Sequence, residues 1–255
     1  MKKTSKIISI ILCLSLLLSL CIPSFAADGE ATEPYVSTVD VSKLGEGAKY
    51  PFILVHGMMG WGDNAEGKHS SKYWGFSEGM DIVEHLRSIG CKAYAPTVGP
   101  MSSAWDRACE LYAQLAGTVV DYGAAHSAAC GHARYGRDYT GRSIMEQPWD
   151  VKSKINLISH SFGGATVNVF TSLMEYGSAE EIAAAPDDCS ELFKGGHEGL
   201  VYSVSTLASP HNGTPVANLL YDTFVPVLLI SFVINLFGMS KTPMIDFMFD
   251  QCVRW

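Results

Sequence analysis

The sequence predicts an α/β fold with a mainly parallel β-sheet and helices on both faces. Short apolar runs alternate with amphipathic segments at the spacing of right-handed β–α–β units, and one of these runs turns sharply into a helix around a serine. Runs of this kind are typical of strands that are buried on both faces of a sheet. They cover residues 51–55, 91–95, 155–158 and 200–207.

The first 49 residues precede the predicted fold. Residues 1–26 are predicted to be a secretory signal peptide. They start with three lysines, continue with an apolar run over residues 7–20 and end in a small-residue cleavage site at Ala26. A membrane anchor is the alternative, but the apolar run is short for a span. Residues 27–49 are rich in small, polar and charged side chains, so we expect a disordered leader, followed by one domain over residues 50–255.

Charge and cysteine content narrow the classes of function. The formal net charge is −8, without a block of basic residues, so neither nucleic acid nor an anionic membrane surface is an expected partner. Two of the seven cysteines lie in the predicted signal peptide. The remaining five are odd in number and show no C-x-x-C spacing, which argues against a disulfide framework.

The first predicted strand, residues 51–55, leads into the glycine-rich segment HGMMGWG. A strand that delivers His-Gly to such a loop is how α/β hydrolases place their first oxyanion-hole amide. The donor is then the backbone N–H of Met58, and one donor of this kind lowers a barrier by roughly 3 kcal/mol. The alternative is an ordinary turn at a strand end.

Two helices are predicted between this strand and the serine. The first covers residues 77–89, with Ser77 as its N-cap and one apolar face. The second covers residues 103–115, where Ser103 and Asp106 fit the S-x-x-D pattern of a capping box. Between them, residues 91–95 complete a β–α–β unit.

Residues 121–141 show little apolar periodicity and predict a long loop. Asp106, His126 and His132 offer oxygen and nitrogen donors that suit zinc, which would order such a segment. The alternative is that both histidines are ordinary surface residues and that Asp106 only caps its helix.

The segment KINLISHSFGG, residues 154–164, carries the strongest motif. Ser161 follows a short strand and precedes a helical segment, as in the nucleophile elbow of the α/β-hydrolase fold. The usual pattern is G-x-S-x-G, whereas here Ser159 occupies the place of the first glycine and Gly163 that of the second. Glycine is needed because the backbone passes close to the serine. An ordinary strand–helix turn is the alternative.

A serine nucleophile needs a histidine base and an orienting acid, which in this fold follow it in the order acid, then histidine. The histidines after Ser161 are His197 and His211, with acids between them and the serine. Only one clear strand follows the elbow, so strand ends for acid and base are missing. We therefore expect a hydrolase fold that is incomplete at its C-terminus.

Residues 223–240 are uncharged and mostly apolar. Three interpretations compete: a mobile lid over an apolar pocket, a core helix and a membrane span. Pro226 and the lack of basic flanks argue against an integral span. We assign a lid region to residues 214–241.

Several segments resemble the secreted bacterial triacylglycerol lipases of the staphylococcal and Geobacillus type. They are PFILVHGMMGWG, KYWG, the run from Ala95 to Leu115, DYGAAHSAACGHARYGR, SHSFGG, LFKGGH and ASPHNGT. The likeness extends from about Tyr50 to Trp255, and the DYGAAH…GHARYGR block is highly specific.

The resemblance implies an α/β-hydrolase fold and hydrolysis of lipid carboxylic esters. Ser161 matches the nucleophile, and Met58 and Phe162 match the two backbone donors of the oxyanion hole. Asp106, His126 and His132 match three ligands of a structural zinc. The family's triad acid and histidine, its fourth zinc ligand and its calcium site match positions beyond Trp255.

Two functions follow as hypotheses. The first is a secreted, extracellular lipase that acts on lipid esters at an oil–water interface, seen here as an N-terminal portion with little activity of its own. The second is a catalytically inactive, lipid-binding homologue that keeps the groove but lacks the base.

Overall fold

The computed structural model describes residues 45–65, 72–75 and 81–214. Six strands and six α-helices lie in these ranges. The strands are β1 (Phe52–Val55), β2 (Ala93–Tyr94), β3 (Val119–Asp121), β4 (Tyr135–Asp138), β5 (Ile155–His160) and β6 (Val201–Leu207). The helices are α1 (Ile82–Ser88), α2 (Ala104–Ala116), α3 (Ala124–Cys130), α4 (Gly163–Tyr176), α5 (Ala179–Ala184) and α6 (Glu191–Lys194).

The main sheet has the order β2–β1–β5–β6, and every neighbouring pair is parallel. The predicted α/β fold is therefore confirmed, and residues 200–207 lie beside the strand that precedes Ser161. Register pairs Val55 of β1 with Ser159 of β5, and His160 with Leu207 of β6. The carboxyl ends of three strands thus meet around Ser161.

Helices cover both faces of this sheet, as the apolar pattern predicts. Ile53 and Val55 of β1 pack into a large buried cluster with α2 and α4, whereas Leu54 packs on the other face with Val83 of α1. Alternate residues of one strand point to opposite faces, so a strand covered on both faces reads as a continuous apolar run.

The sequence predicts the N-cap residue of α2 correctly but not that of α1. Ser103 is the N-cap of α2, where its hydroxyl accepts the N–H of Asp106 at 3.1 Å and donates to the Asp106 carboxylate at 2.8 Å. The predicted N-cap is therefore confirmed, whereas the reciprocal bond of the capping box runs to the Ser103 hydroxyl instead of its backbone N–H. Helix α1 instead begins at Ile82 with Asp81 as N-cap, because the Asp81 carboxylate accepts the N–H groups of Val83 and Glu84.

The segment over residues 121–141 contains regular structure that its polar sequence does not predict. It holds α3 and the antiparallel strand β4, which pairs with β3. Arg134 joins the strands through two hydrogen bonds of 2.9 Å to the Asp121 carboxylate. The Glu181 carboxylate accepts the N–H groups of Ala125 and His126 at the start of α3. The long-loop prediction is wrong because polar contacts, not an apolar face, order this segment.

Three predictions lie wholly or mostly outside the described residues. They are the signal peptide over residues 1–26, the leader over residues 27–49 and the lid over residues 214–241. Of the leader, Glu46–Lys49 forms a short 3-10 helix, and the Asn156 amide donates to Gly47 O at 2.8 Å. Within the ranges that the structure describes, no helix has the length and apolarity needed to cross a membrane.

Strand β6 differs from the strands at the centre of the sheet. Ile155 and Leu157 of β5 are fully buried, whereas Tyr202, Val204 and Leu207 of β6 are each 42–47% exposed. Among the described strands, β6 pairs only with β5.

Candidate active site and metal site

Ser161 lies in a strained turn between β5 and α4. Its φ of 54° is in the left-handed region, which a side chain with a Cβ enters at a cost of order 1–3 kcal/mol. Two backbone hydrogen bonds hold the turn: Ser161 N–H donates to Leu207 O at 2.9 Å, and Gly164 N–H donates to Ser161 O at 3.0 Å. This strand–turn–helix geometry is the one that the motif predicts.

Glycines allow the close approach of backbone around Ser161. A Cβ on Gly163 would lie 2.3 Å from Val55 O, and a Cβ on Gly57 would lie 2.8 Å from the Ser161 Cβ. The loop after β1 therefore packs directly against the serine. Ser159, which stands where the motif has its first glycine, is fully buried, so its small side chain fits this position.

Met58 and Phe162, the two predicted oxyanion-hole donors, belong to two chain segments that meet at Ser161, since a Cβ on Gly57 would touch the Ser161 Cβ. Met58 follows Gly57 in the loop after β1, and Phe162 is the N-cap residue of α4. In the described ranges, neither backbone N–H has a hydrogen-bond acceptor. The assignment of these two N–H groups to an oxyanion hole stays a prediction.

Arg107 is a fully buried cation that ties these segments together. Its guanidinium donates to Gly99 O at 3.0 Å, to Gly57 O at 3.3 Å and to His56 O in a short contact. It also donates to the Thr166 hydroxyl of α4 at 2.8 Å. The loop after β1 and the helix after the serine are thus held by one side chain.

The Arg107 guanidinium further lies over the Phe162 ring, 5.3 Å from its centroid. Its charge is balanced in part by Glu110, one helical turn away and also buried. Burial raises the pKa of the Glu110 carboxyl to about 7 and lowers the pKa of Arg107 to about 10. Glu110 accepts the N–H of Gly99 and, at 3.0 Å, the hydroxyl of Tyr122.

Tyr73 also holds the loop after β1 in place. Its hydroxyl accepts Gly57 N–H at 2.9 Å and lies 2.6 Å from His160 Nδ1, the residue before Ser161. A hydroxyl that accepts one hydrogen bond and donates another links the two segments through a single atom. Burial raises the pKa of Tyr73, which keeps the hydroxyl protonated.

The structure does not bring a histidine base to Ser161 within the described residues. His160 is engaged with Tyr73, and His211 Nε2 lies 2.9 Å from the Thr206 hydroxyl. His197 lies in the turn before β6, where its N–H donates to Met174 O at 3.0 Å. None of them hydrogen-bonds to the Ser161 hydroxyl.

His56 is fully buried, and its contacts reach the loop after β1 and the loop after β2. Its Nδ1 lies 2.8 Å from Gly57 O and its Nε2 lies 3.0 Å from Val98 N. The carbonyl requires a proton on Nδ1 and the N–H requires a lone pair on Nε2, so these contacts assign the neutral tautomer. Burial, with the nearby Arg107 charge, lowers the pKa of His56 from 6.5 to about 3.

This depressed pKa predicts acid sensitivity of the fold. The stability that neutral His56 supplies is fully present above pH 6.5 and is lost as the pH falls towards 3, because the unfolded chain binds the proton first. His56→Gln keeps an acceptor for Val98 N–H and does not titrate. Urea midpoints should therefore fall less steeply in the variant than in the wild type across this window.

The raised pKa of Glu110 acts in the opposite direction, since it favours the folded state as the pH falls from 7 to 4.5. Glu110 is present in both chains, so the difference between them isolates His56. Parallel pH profiles of the two chains would contradict the assignment.

Asp106, His126 and His132 lie together, as the metal prediction requires. His126 Nε2 is 3.0 Å and His132 Nε2 is 3.7 Å from Asp106 Oδ1. The Trp105 ring stacks on His126 with centroids 5.2 Å apart. Asp106 thus serves both as capping partner of Ser103 and as neighbour of the two histidines. The oxygen and nitrogen donors fit zinc.

Sequence reasoning missed three residues that the structure brings to these sites: Arg107, Tyr73 and Cys130. Arg107 could have been found from the sequence, since a cation in the apolar stripe of α2 needs a buried partner. Cys130 could also have been found from the sequence, because it follows His126 by one helical turn. Nothing in the sequence around Tyr73 indicates that its hydroxyl meets Gly57 N–H.

The parallel sheet, the strained serine at the end of its central strand and the glycine loop beside it define an α/β hydrolase. The family model described as "Lipase-like, C-terminal domain" matches residues 48–253. The chain belongs to this family.

Curated and solved relatives carry matching names. Lipase 2 of Staphylococcus aureus is 41% identical over 202 residues, which are 78% of this chain and 28% of that protein. The structure of lipase 1 from Pelosinus fermentans is 46% identical with a TM-score of 0.60, covering 68% of this chain and 45% of that one. Staphylococcus hyicus lipase is 35% identical with a TM-score of 0.65, covering 78% and 51%.

The recognised resemblance to staphylococcal-type lipases is therefore confirmed. The chain spans about half of the length of the solved S. hyicus lipase that it matches, and less than a third of S. aureus Lipase 2.

Proposed function

We propose that this chain is part of a secreted lipase in which Ser161 attacks the carbonyl carbon of a carboxylic ester. The observation that carries the proposal is the left-handed turn at Ser161, with Gly57 and Gly163 packed against it. Attack forms a tetrahedral intermediate, whose oxyanion accepts hydrogen bonds from the N–H groups of Met58 and Phe162. Each such donor stabilises the transition state by about 3 kcal/mol.

The proposed substrates are triacylglycerol esters at an oil–water interface. The matching proteins are named lipases, which supports this class. In addition, the side chains of Met58 and Met59, in the loop whose Gly57 packs against the serine, are 53% and 46% exposed. Exposed apolar side chains at the mouth of a site favour an apolar substrate over a charged one.

The Ser161 proton needs a base, and the described residues place none in contact with it. The proposal assigns this role to a histidine outside the described residues. The backbone contacts of Arg107 and Tyr73 position the oxyanion loop and take no proton from the serine. The competing function, an inactive lipid-binding homologue, keeps the same loop and serine but no base.

The proposal is tested by hydrolysis of p-nitrophenyl butyrate, with imidazole added as an external base. Without imidazole we expect only residual acceleration, about 10³–10⁴-fold over water, from the oxyanion hole and binding. Imidazole should raise the rate of the wild-type chain more than that of Ser161→Ala. Ser203→Ala is the matched control, because Ser203 lies in β6 and donates to Asn156 at 2.7 Å.

Equal rates in wild type and Ser161→Ala at every imidazole concentration would refute the nucleophile. If the chain then still binds triacylglycerol emulsions, the lipid-binding homologue is the better description. Fast hydrolysis without imidazole that Ser161→Ala abolishes would support the lipase and place the base within this chain.

We also propose that the cluster of Asp106, His126 and His132 holds a structural zinc ion. Zinc would join α2 to α3 and to the chain that follows it, and its binding energy would add to the stability of that junction. The site lies outside the proposed chemistry at Ser161. The family's calcium site has no counterpart that we assign to residues of this chain.

Removal of zinc is expected to loosen the β3–β4 strand pair and α3. Purified wild-type chain should carry zinc by metal analysis, and His126→Ala/His132→Ala should not. Amide exchange over residues 121–141 should rise in the double variant, while exchange in β5 stays unchanged. His85→Ala/His197→Ala is the control for loss of two histidines elsewhere. Equal zinc content in the wild type and the His126/His132 variant would exclude the site.

A further inference from the structure

Two loops at the carboxyl ends of neighbouring strands are joined by hydrogen bonds. The first loop, residues 56–64, follows β1 and contains Met58, whose N–H is one of the two proposed donors to the oxyanion. The second loop, residues 95–100, follows β2, the parallel neighbour of β1. Met59 N–H donates to Pro100 O at 2.8 Å, which fixes the peptide unit that follows Met58. The direction of the proposed donor thus depends on the second loop.

Thr97 uses each of its polar groups in this junction. Its residue is buried, and its hydroxyl accepts Gly62 N–H at 2.9 Å. Its backbone N–H donates to the side-chain oxygen of Asn64 at 2.8 Å, and its carbonyl accepts the Gln114 amide at 2.7 Å. Every polar group of Thr97 therefore has a partner in the first loop or in α2.

Gln114 joins both loops to helix α2. It is fully buried, and its side-chain oxygen accepts the Asn64 amide at 2.7 Å. The backbone of Thr97 fixes how both amides are oriented, because an N–H can only donate and a carbonyl can only accept. Removal of the Gln114 amide would leave Thr97 O without this buried donor, at a cost in free energy. The network is thus closed among the three side chains.

The two loops also pack directly against each other. A Cβ on Gly62 would collide with Ala95 O and with the backbone of Pro96. Beside this contact, Asp63 N–H donates to Ala95 O at 2.7 Å. Because these atoms belong to the backbone, no side chain can turn away to let the loops shift.

The backbone next to the proposed donor is strained. Met59 has a φ of 57°, in the left-handed region that a residue with a Cβ enters at a cost. Such a conformation persists only where the surrounding contacts hold it. A first loop released from the second is free to leave this conformation, and the Met58 N–H then changes direction.

We propose that Thr97 and Gln114 are positioning residues for the oxyanion donor of Met58. In this role they do not touch the substrate and act through the first loop, which they hold in one place. An amide that is fixed before the reaction needs no reorganisation when the oxyanion forms. The inference rests on the proposed function and extends it, because it makes α2 and the loop after β2 responsible for the precision of that donor.

Thr97→Val tests the inference, because valine has nearly the same shape but cannot accept the N–H of Gly62. With imidazole as external base, kcat for p-nitrophenyl butyrate should fall by about 10-fold to 10²-fold, as for other small displacements of a reacting group. KM should stay unchanged, since the lost interaction acts in the transition state. Thr97→Ser keeps the hydroxyl and should keep most of the rate. Gln114→Met should lose it as Thr97→Val does.

Thr171→Val is the matched control, because among the described residues the buried Thr171 hydroxyl has no hydrogen-bond partner. It should leave both kcat and KM unchanged. Amide exchange follows the loop without reference to activity. Exchange over residues 57–64 should rise in Thr97→Val and Gln114→Met but not in Thr97→Ser. Wild-type exchange in β5 verifies that each variant is folded.

The outcomes separate this inference from the proposed function. A Thr97→Val chain with faster loop exchange and wild-type kcat would overturn the inference alone, since the loop then moves without consequence for the reaction. A change confined to KM, or an equal loss of kcat in Thr171→Val, would also overturn it. A wild-type chain whose rate does not depend on Ser161 would overturn the proposed function and this catalytic role together.

Discussion

Arg107→Met is expected to lower the free energy of unfolding by about 3–5 kcal/mol, because several buried acceptors lose their donor at once and each group left unsatisfied costs about 1–3 kcal/mol. Methionine fills much of the volume but donates no hydrogen bond. The carbonyls of His56, Gly57 and Gly99 then lose a buried donor, and Glu110 loses its counter-charge. Each buried group left unsatisfied adds a cost.

Urea unfolding followed by tryptophan fluorescence measures the effect. Arg87→Met is the matched control, because Arg87 pairs with Asp63 and Glu84 at the surface and its side chain is 39% exposed. Pairs of that kind contribute about 1 kcal/mol or less. A change for Arg107→Met no larger than that of the control would show that the contacts of this guanidinium do not hold the fold.

Gly163→Ala is expected to cost about 1–3 kcal/mol in stability and about 10²-fold in any Ser161-dependent ester hydrolysis. The added Cβ would lie 2.3 Å from Val55 O and 2.8 Å from His56 O. Both neighbours are backbone atoms of β1 or its end, so no side chain can turn away. The start of α4 must move, and Ser161 and the Phe162 amide move with it.

Gly45→Ala makes the same chemical change where a Cβ meets no atom within 4 Å. It should leave both stability and imidazole-supported hydrolysis unchanged. The comparison therefore separates close packing at the elbow from the general effect of replacing a glycine. Wild-type values for Gly163→Ala would mean that β1 and α4 are not held as closely as the structure places them.

The parallel sheet and its buried strands could be predicted from sequence because both depend on short-range signals. Apolar runs mark buried parallel strands, and right-handed crossovers limit how they are joined. Ser161, Met58 and Phe162 follow from the same reasoning, since each stands next to a strand end. Their catalytic roles stay predictions.

What the sequence did not reveal depends on contacts between residues far apart in the chain. Arg107 meets Gly57 and Thr166, which lie 50 and 59 positions away, and Tyr73 meets His160 across 87. No local pattern records such pairs. Helix α3 was missed for a related reason, because its N-terminus is held by Glu181 rather than by a capping residue of its own.

The exposure of β6 has a consequence for handling the protein in solution. Its side chains Tyr202, Val204 and Leu207 are apolar and nearly half exposed, and among the described strands its second edge is unpaired. A strand of this kind offers a template on which another polypeptide can extend the sheet. We therefore expect self-association that increases with protein concentration and that a peptide pairing along β6 suppresses. Such self-association depends on backbone hydrogen bonding and not on the site at Ser161.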